Sequence, residues 1–248
     1  MSAKEHLALA LDTPRLDVAE DLVRRTREVV GVYKIGLEMF TAYGPKAVER
    51  IKNLDVKVFL DLKLHDIPHT VAGAVKSASN LGVNFLTLHG LGGKRMMQAA
   101  VEARNETHLG GDKLQLLAVS ILTHHAANEL EELGLSEDPD VEVKRLVSLA
   151  TQAGISGCVC SPEEAALIRE AQGADFFIVT PGIRPDGAAR GDQSRTATPQ
   201  EAVVAGSNLL VVGRPIRTAP DPKIAAQEVL DAIAEATAKP SDDDKVAD

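Results

Sequence analysis

Short apolar runs recur along the 248-residue chain, each separated from the next by a stretch with helical spacing. The runs LALALD (7–12), VYKIG (32–36), VKVFLDLK (56–63), FLTLH (85–89), QLLAVSIL (115–122), GCVC (157–160), FFIVT (176–180) and NLLVVGR (208–214) read as β-strands. In RLDVAEDLVRRTREVV, Leu16, Ala19, Leu22, Val23, Thr26 and Val30 fall on one stripe, which predicts an amphipathic helix. TVAGAVKSASNLG has helical spacing too and stops at Gly82, as a helix C-cap does. The segment LGLSEDPDVEVKR (133–145) breaks a long connection and predicts two helices there.

Strands alternating with helices read as βαβ units, and eight of them predict an α/β chain closed into a (β/α)8 TIM barrel. An open doubly wound sheet usually carries a glycine fingerprint after its first strand, but here that strand runs into Asp12-Thr13-Pro14. The length suits one such barrel, so residues 1–237 are assigned to a single catalytic domain. Residues 238–248 form a polar tail, expected to be disordered.

Composition narrows the function. A net charge of −9 with no basic tract argues against a nucleic-acid partner. Few aromatics and no Trp predict a core of Val, Leu, Ile and Ala. Cys158 and Cys160 stand i and i+2 in one strand, an awkward geometry for a disulfide, and read as small buried hydrophobes. The apolar run of MSAKEHLALALD is too short for a signal peptide, and no stretch is long enough to span a membrane, so a cytoplasmic enzyme is expected.

In a barrel of this kind the active site lies at the carboxyl ends of the strands. Those ends carry Asp12, Lys34, Asp61 with Lys63, His89, Ser120 with Thr123, Thr180 leading to Arg184, and Gly213 with Arg214. Asp61 and Lys63 are two apart and so share a strand face, with Asp66 just beyond. Carboxylates flanking a lysine favour its ammonium form. That argues against a Schiff-base nucleophile and for an amine that neutralises a carbanion and protonates it. The loops after strands seven and eight are the usual phosphate site of the fold. The seventh, PGIRPDGAARGDQSR (181–195), is long enough for a closing lid and offers Arg184 and Gln193; the eighth offers Gly213 and Arg214 at a helix start. HGLGGKR (89–95) is a weaker phosphate signal that also fits a tight turn. His65, His69, His124 and His125 lack ligand spacing, and no metal is expected.

ALALD (8–12), YKIG (33–36), DLKLHDIPHT (61–70), TLHG (87–90), SILT (120–123), PGIRP (181–185), GDQSR (191–195) and VVGRPI (211–216) together resemble the orotidine 5′-monophosphate decarboxylase family. The resemblance implies cofactor-free decarboxylation of orotidine 5′-monophosphate to uridine 5′-monophosphate in pyrimidine biosynthesis. It implies Lys63 as proton donor to the C6 carbanion and Asp61 as the carboxylate beside the leaving group. Asp66, Ile67 and Thr70 match residues that reach the neighbouring subunit's site, implying a homodimer. Asp12 and Lys34 match ribose-binding positions, while Ser120, Thr123 and Pro181 match the pyrimidine side. Arg184, Gln193, Gly213 and Arg214 match the phosphate grip. The nearest rival is a metal-dependent sugar-phosphate decarboxylase or aldolase sharing the DxKxxD element; a catalytically silent nucleotide-binding barrel is the other.

Overall fold

The computed structural model describes residues 3–107, 114–125, 127–185 and 195–238. After a 3-10 turn at Ala3–His6 come the strands β1 (Leu7–Ala10), β2 (Val32–Gly36), β3 (Lys57–Leu64), β4 (Phe85–His89), β5 (Gln115–Val119), β6 (Gly157–Val159), β7 (Phe177–Thr180) and β8 (Leu209–Val212). They close a parallel barrel in sequence order, with β8 paired to β1. The helices between and after them are α1 (Leu16–Thr26), α2 (Leu37–Tyr43), α3 (Pro45–Lys52), α4 (Pro68–Asn80), α5 (Gly93–Glu106), α6 (Ala127–Glu132), α7 (Pro139–Gln152), α8 (Pro162–Gln172), α9 (Pro199–Val204), α10 (Arg214–Arg217) and α11 (Pro222–Ala238). The expected (β/α)8 barrel is therefore present, and the connection predicted to hold two helices does so, with residues 133–138 between α6 and α7 and residues 139–145 in α7. Of the expected tail 238–248, Ala238 is the last residue of α11 and residues 239–248 lie outside the described residues.

Each strand has two buried faces. Leu7, Leu9, Tyr33, Ile35, Val58, Leu60, Leu86, Leu88, Leu116 and Leu210 face the helices and join the apolar stripes of α1, α4 and α5 in one large core. The predicted stripe of α1 is buried along its length, although the helix ends at Thr26 and Val30 is reached through a turn. Alternate residues fill the barrel interior: Ala8, Val32, Phe59, Phe85, Leu117, Val179, Leu209 and Val211, with Phe177 packed against them. The core is less uniformly aliphatic than composition suggests, because three of the five Phe meet inside the barrel. Phe85 lies edge-on to Phe59 at 5.9 Å and stacks on Phe177 at 5.6 Å between ring centroids.

Several strands stop short of their apolar runs. Strand β1 ends before Asp12, β5 before Ile121 and Leu122, and β8 before Gly213 and Arg214. Ser120 N–H still donates to Val159 O, but beyond it the parallel ladder ends and the chain becomes cavity wall. The connection from β2 to β3 holds two helices, split at Gly44, whose φ of 58° favours glycine, and Pro45, which starts α3. HGLGGKR is the tight-turn alternative: a 3-10 turn at Gly90–Gly92 leads straight into α5, and none of its residues lines the cavity described below. Cys158 and Cys160 are free and buried, and the Cys160 thiol is pushed well up by its hydrogen bond with Cys158 and by burial.

Gly157 makes room for the aromatic interior. A Cβ placed there would lie 2.8 Å from Leu117 Cδ2 and 2.8 Å from Phe177 O. Gly157→Ala is expected to cost about 1–3 kcal/mol, a fall in melting temperature of roughly 2–10 °C by scanning calorimetry. An unchanged melting temperature would contradict this packing.

Candidate active site

At the carboxyl ends of the strands the barrel opens into a cavity of about 840 Å³. Around its rim stand Arg184 after β7, Gly213, Arg214 and Arg217 after β8, Asp12 after β1, Lys34 on β2, and Asp61 and Lys63 on β3. Leu122 and Thr123 close the wall after β5, and Pro181 closes it after β7. The barrel order thus sets an arginine-rich arc at β7–β8 beside an alternating acid–base arc at β1–β3.

The acid–base arc is a continuous chain of charge contacts. Lys34 Nζ lies 3.2 Å from Asp12 Oδ1 and 3.5 Å from Asp61 Oδ2. Lys63 Nζ donates to both oxygens of Asp61, at 2.8 and 2.9 Å. Asp61 is buried, and burial alone would raise its carboxyl pKa; the charges of Lys34 and Lys63 outweigh this and hold it below the ordinary value. For Lys34, burial works against the ammonium, but Asp61 and Asp12 prevail and raise its pKa.

The local backbone explains how Lys63 reaches Asp61. Lys63 has φ of 50°, a left-handed conformation rarely adopted by a side-chain-bearing residue. It sits where β3 slips out of register with β4, between Leu60 and Leu64. Thr87, fully buried on β4, secures the distortion: its Oγ1 accepts from Lys63 N–H at 2.9 Å and donates to Asp61 Oδ1 at 2.9 Å. Strain of this kind costs about 1–3 kcal/mol and persists only where surrounding bonds over-determine it. Thr87 was missed in the sequence, although it is the one polar residue at an inward position between Phe85 and His89.

The remaining predicted residues divide. Asp12, Lys34, Asp61, Lys63, Thr123, Pro181, Arg184, Gly213 and Arg214 all line the cavity. Asp66 does not flank Lys63 as expected: it is exposed, accepts from Ile67 N–H, and makes no ion pair among the described residues. The chain turns outward there to begin α4 at Pro68, which carries Asp66, Ile67 and Thr70 to the surface; Ile67 is 66% exposed. Ser120 is buried with its hydroxyl donated to Val159 O, and it is not part of the cavity wall. Gln193 lies outside the described residues. The helix after Gly213 has only four residues, so its dipole adds little to an anion site there. Glu38 and Arg217 also line the cavity although the sequence reading names neither, and His124, read there only as lacking ligand spacing, lines it too. His89 stacks on His65 at 5.5 Å outside the cavity lining; burial first, then the charges of His65 and Lys63, lower its pKa to about 4. Among the described residues no three His, Cys, Asp or Glu side chains gather as a metal site, and no helix is long and apolar enough to cross a membrane.

A closed barrel with a charged cavity at the carboxyl ends of its strands is the arrangement of (β/α)8-barrel enzymes. More narrowly, the chain belongs to the Orotidine 5'-phosphate decarboxylase / HUMPS family, whose model matches residues 5–229. It is 49% identical over 231 residues to the orotidine 5'-phosphate decarboxylase of Geobacter metallireducens, covering 93% of this chain and 97% of that protein. The enzyme of the same name from Anaeromyxobacter sp. (strain K) is 48% identical over 229 residues, covering 92% and 98%. Among solved structures, orotidine 5'-phosphate decarboxylase from Lactobacillus acidophilus superposes with a TM-score of 0.81 at 33% identity, over 92% of this chain and 99% of that one.

The paired charges fix a stability profile. Asp61, with its pKa lowered, contributes stability that is complete above about pH 4 and lost as pH falls through its folded value. Lys34, with its pKa raised, contributes stability that is complete below about pH 10.4 and lost as pH rises through its folded value. Calorimetric melts should show a plateau between these limits, and Asp61→Asn should lower the plateau and make the acid limb shallower. An unchanged plateau and acid limb in that variant would mean the array carries no net stabilisation.

Proposed function

We propose that this chain decarboxylates orotidine 5′-monophosphate to uridine 5′-monophosphate, with Lys63 delivering the proton that replaces the carboxyl group. The observation that carries the reading is the Lys63–Asp61 pair in the cavity wall, backed by Lys34 and Asp12. A substrate carboxylate brought against Asp61 would meet a like charge; at ~4 Å two unit charges repel by about 4 kcal/mol at an effective dielectric near 20. Breaking the bond from C6 to the carboxyl carbon releases carbon dioxide and leaves the electron pair on C6. A proton from Lys63 Nζ then forms the C6–H bond, and solvent reprotonates the resulting neutral amine to the ammonium. The ammonium opposes the charge where it develops.

The other residues take the roles that the family resemblance implies. Arg184, Arg214 and Gly213, with Gln193 from the long loop, hold the phosphate on the β7–β8 side. Asp12 and Lys34 meet the ribose between phosphate and ring. Thr123 and Pro181 meet the pyrimidine, and Ser120 joins them on exchanging its bond to Val159 O for one to the ring. Phosphate binding, remote from the reacting carbon, offsets the crowding at Asp61. The activity places the chain in pyrimidine biosynthesis and makes it a cytoplasmic enzyme.

The working unit is a homodimer in which Asp66, Ile67 and Thr70 complete the partner's site. Their exposure on one chain, with an isoleucine two-thirds uncovered, supports this. Mixing inactive Lys63→Ala and Asp66→Ala protomers should then restore about a quarter of wild-type activity, because only hybrid dimers contain one intact site. No recovery after subunit exchange would contradict sharing.

The direct test follows the ultraviolet absorbance of orotidine 5′-monophosphate with purified protein and EDTA. Steady turnover with chelator present is expected, and activity that appears only with a divalent cation would favour the metal-dependent sugar-phosphate alternative. Lys63→Ala should lower turnover by roughly 10²–10⁴-fold or more without unfolding the barrel. A variant retaining a substantial rate would remove Lys63 from the proton transfer.

A further inference from the structure

We propose that Arg217 is an additional ligand for the substrate's phosphate, beside Arg184 and Arg214; the proposal rests on the nucleotide reading above. Among the described residues, His125 Nδ1, Arg195 Nε and Arg217 Nε are buried side-chain nitrogens without a hydrogen-bond partner. His125 and Arg195 are otherwise engaged: His125 lies 3.7 Å from a Glu129 carboxylate oxygen, and Arg195 is ion-paired to buried Glu164. Neither lines the cavity, whereas Arg217 does.

Arg217 makes no side-chain hydrogen bond or ion pair among the described residues, and Glu38, a carboxylate in the same cavity wall, is not paired with it. Leaving a donor buried without an acceptor is costly, and an anion in the cavity would recover that cost. Its position suits that role. Arg214 and Arg217 are three apart on α10, so they share one helix face with Cβ atoms about 5–6 Å apart, and both reach the cavity. Backbone bonds from Arg217 N–H to Gly213 O and from Thr218 N–H to Arg214 O hold that turn directly after β8. The cavity wall carries five Lys or Arg side chains against three carboxylates, in a chain whose net charge is −9. On the β1–β3 arc Lys34 and Lys63 are paired with Asp12 and Asp61, and Arg217 adds a guanidinium to the β7–β8 arc. A phosphate dianion has oxygens enough to accept from several guanidinium forks at once.

Calorimetric titration with uridine 5′-monophosphate, uridine and inorganic phosphate, on the wild type and on Arg217→Met, separates the outcomes. The proposal predicts at least a roughly tenfold loss of affinity for the monophosphate, an unchanged affinity for uridine, and a weakened response to inorganic phosphate. In kinetics, KM should rise by more than kcat falls. Equal losses for nucleotide and nucleoside, or no loss for either, would overturn it. If Arg217→Met fails to fold, Arg217→Gln keeps a polar side chain without the charge and is read the same way. Should the wild type fail to decarboxylate orotidine 5′-monophosphate while the phosphate-dependent loss persists, the reading of the reaction falls and the assignment of Arg217 stands.

Discussion

Asp61 holds two amines at once, and the chemistry of the cavity depends on that. Its carboxylate accepts from Lys63 through both oxygens, accepts from Thr87, and lies 3.5 Å from Lys34, which in turn reaches Asp12. Each charge in the row has an opposite neighbour, so no member is buried alone. Removing one partner from such a row is costly because it leaves the others uncompensated. The same row prevents Lys63 from wandering: its amine is fixed by Asp61 and its backbone by Thr87, at a φ of 50° that the chain would not otherwise choose. Strain, charge pairing and the aim of the amine are therefore one arrangement.

The barrel turns this arrangement into a site by placing a second feature at a fixed distance around the rim. Closure of β8 onto β1 brings the arginines after β7 and β8 next to Asp12, and from there the order runs through Lys34 to Asp61 and Lys63. A ligand with a phosphate at one end and a reacting ring at the other can span both arcs. The aromatic interior of Phe59, Phe85 and Phe177 forms the floor beneath, and Phe59 itself lines the cavity two positions before Asp61.

Much of this was legible in the sequence for simple physical reasons. The strand runs were clear because buried parallel strands are apolar on both faces, and VYKIG and FLTLH match β2 and β4 to the residue. Asp61 and Lys63 stood out because charges inside such a run need a reason. Other features carried no local signal. The left-handed turn at Lys63 arises from a register slip between β3 and β4, which strand periodicity does not encode. Asp66 follows Lys63 by only three residues, yet it is exposed, outside the cavity lining and without an ion pair among the described residues, because the chain turns outward to begin α4 at Pro68. Thr87 and Arg217 were readable in hindsight from spacing, one at an inward strand position and the other three residues after Arg214. Ser120 was placed on the cavity by its strand position, but its hydroxyl bonds to Val159 instead.

A crystal structure with uridine 5′-monophosphate bound tests the central claim most directly, because it measures where the ring lies relative to the charge row. The account predicts the phosphate among the arginines after β7 and β8, Lys63 still bonded to Asp61, and C6 of the pyrimidine within roughly 3–4 Å of Lys63 Nζ. A ring bound on the far side of the cavity, or a Lys63 turned away from Asp61 toward solvent, would contradict it.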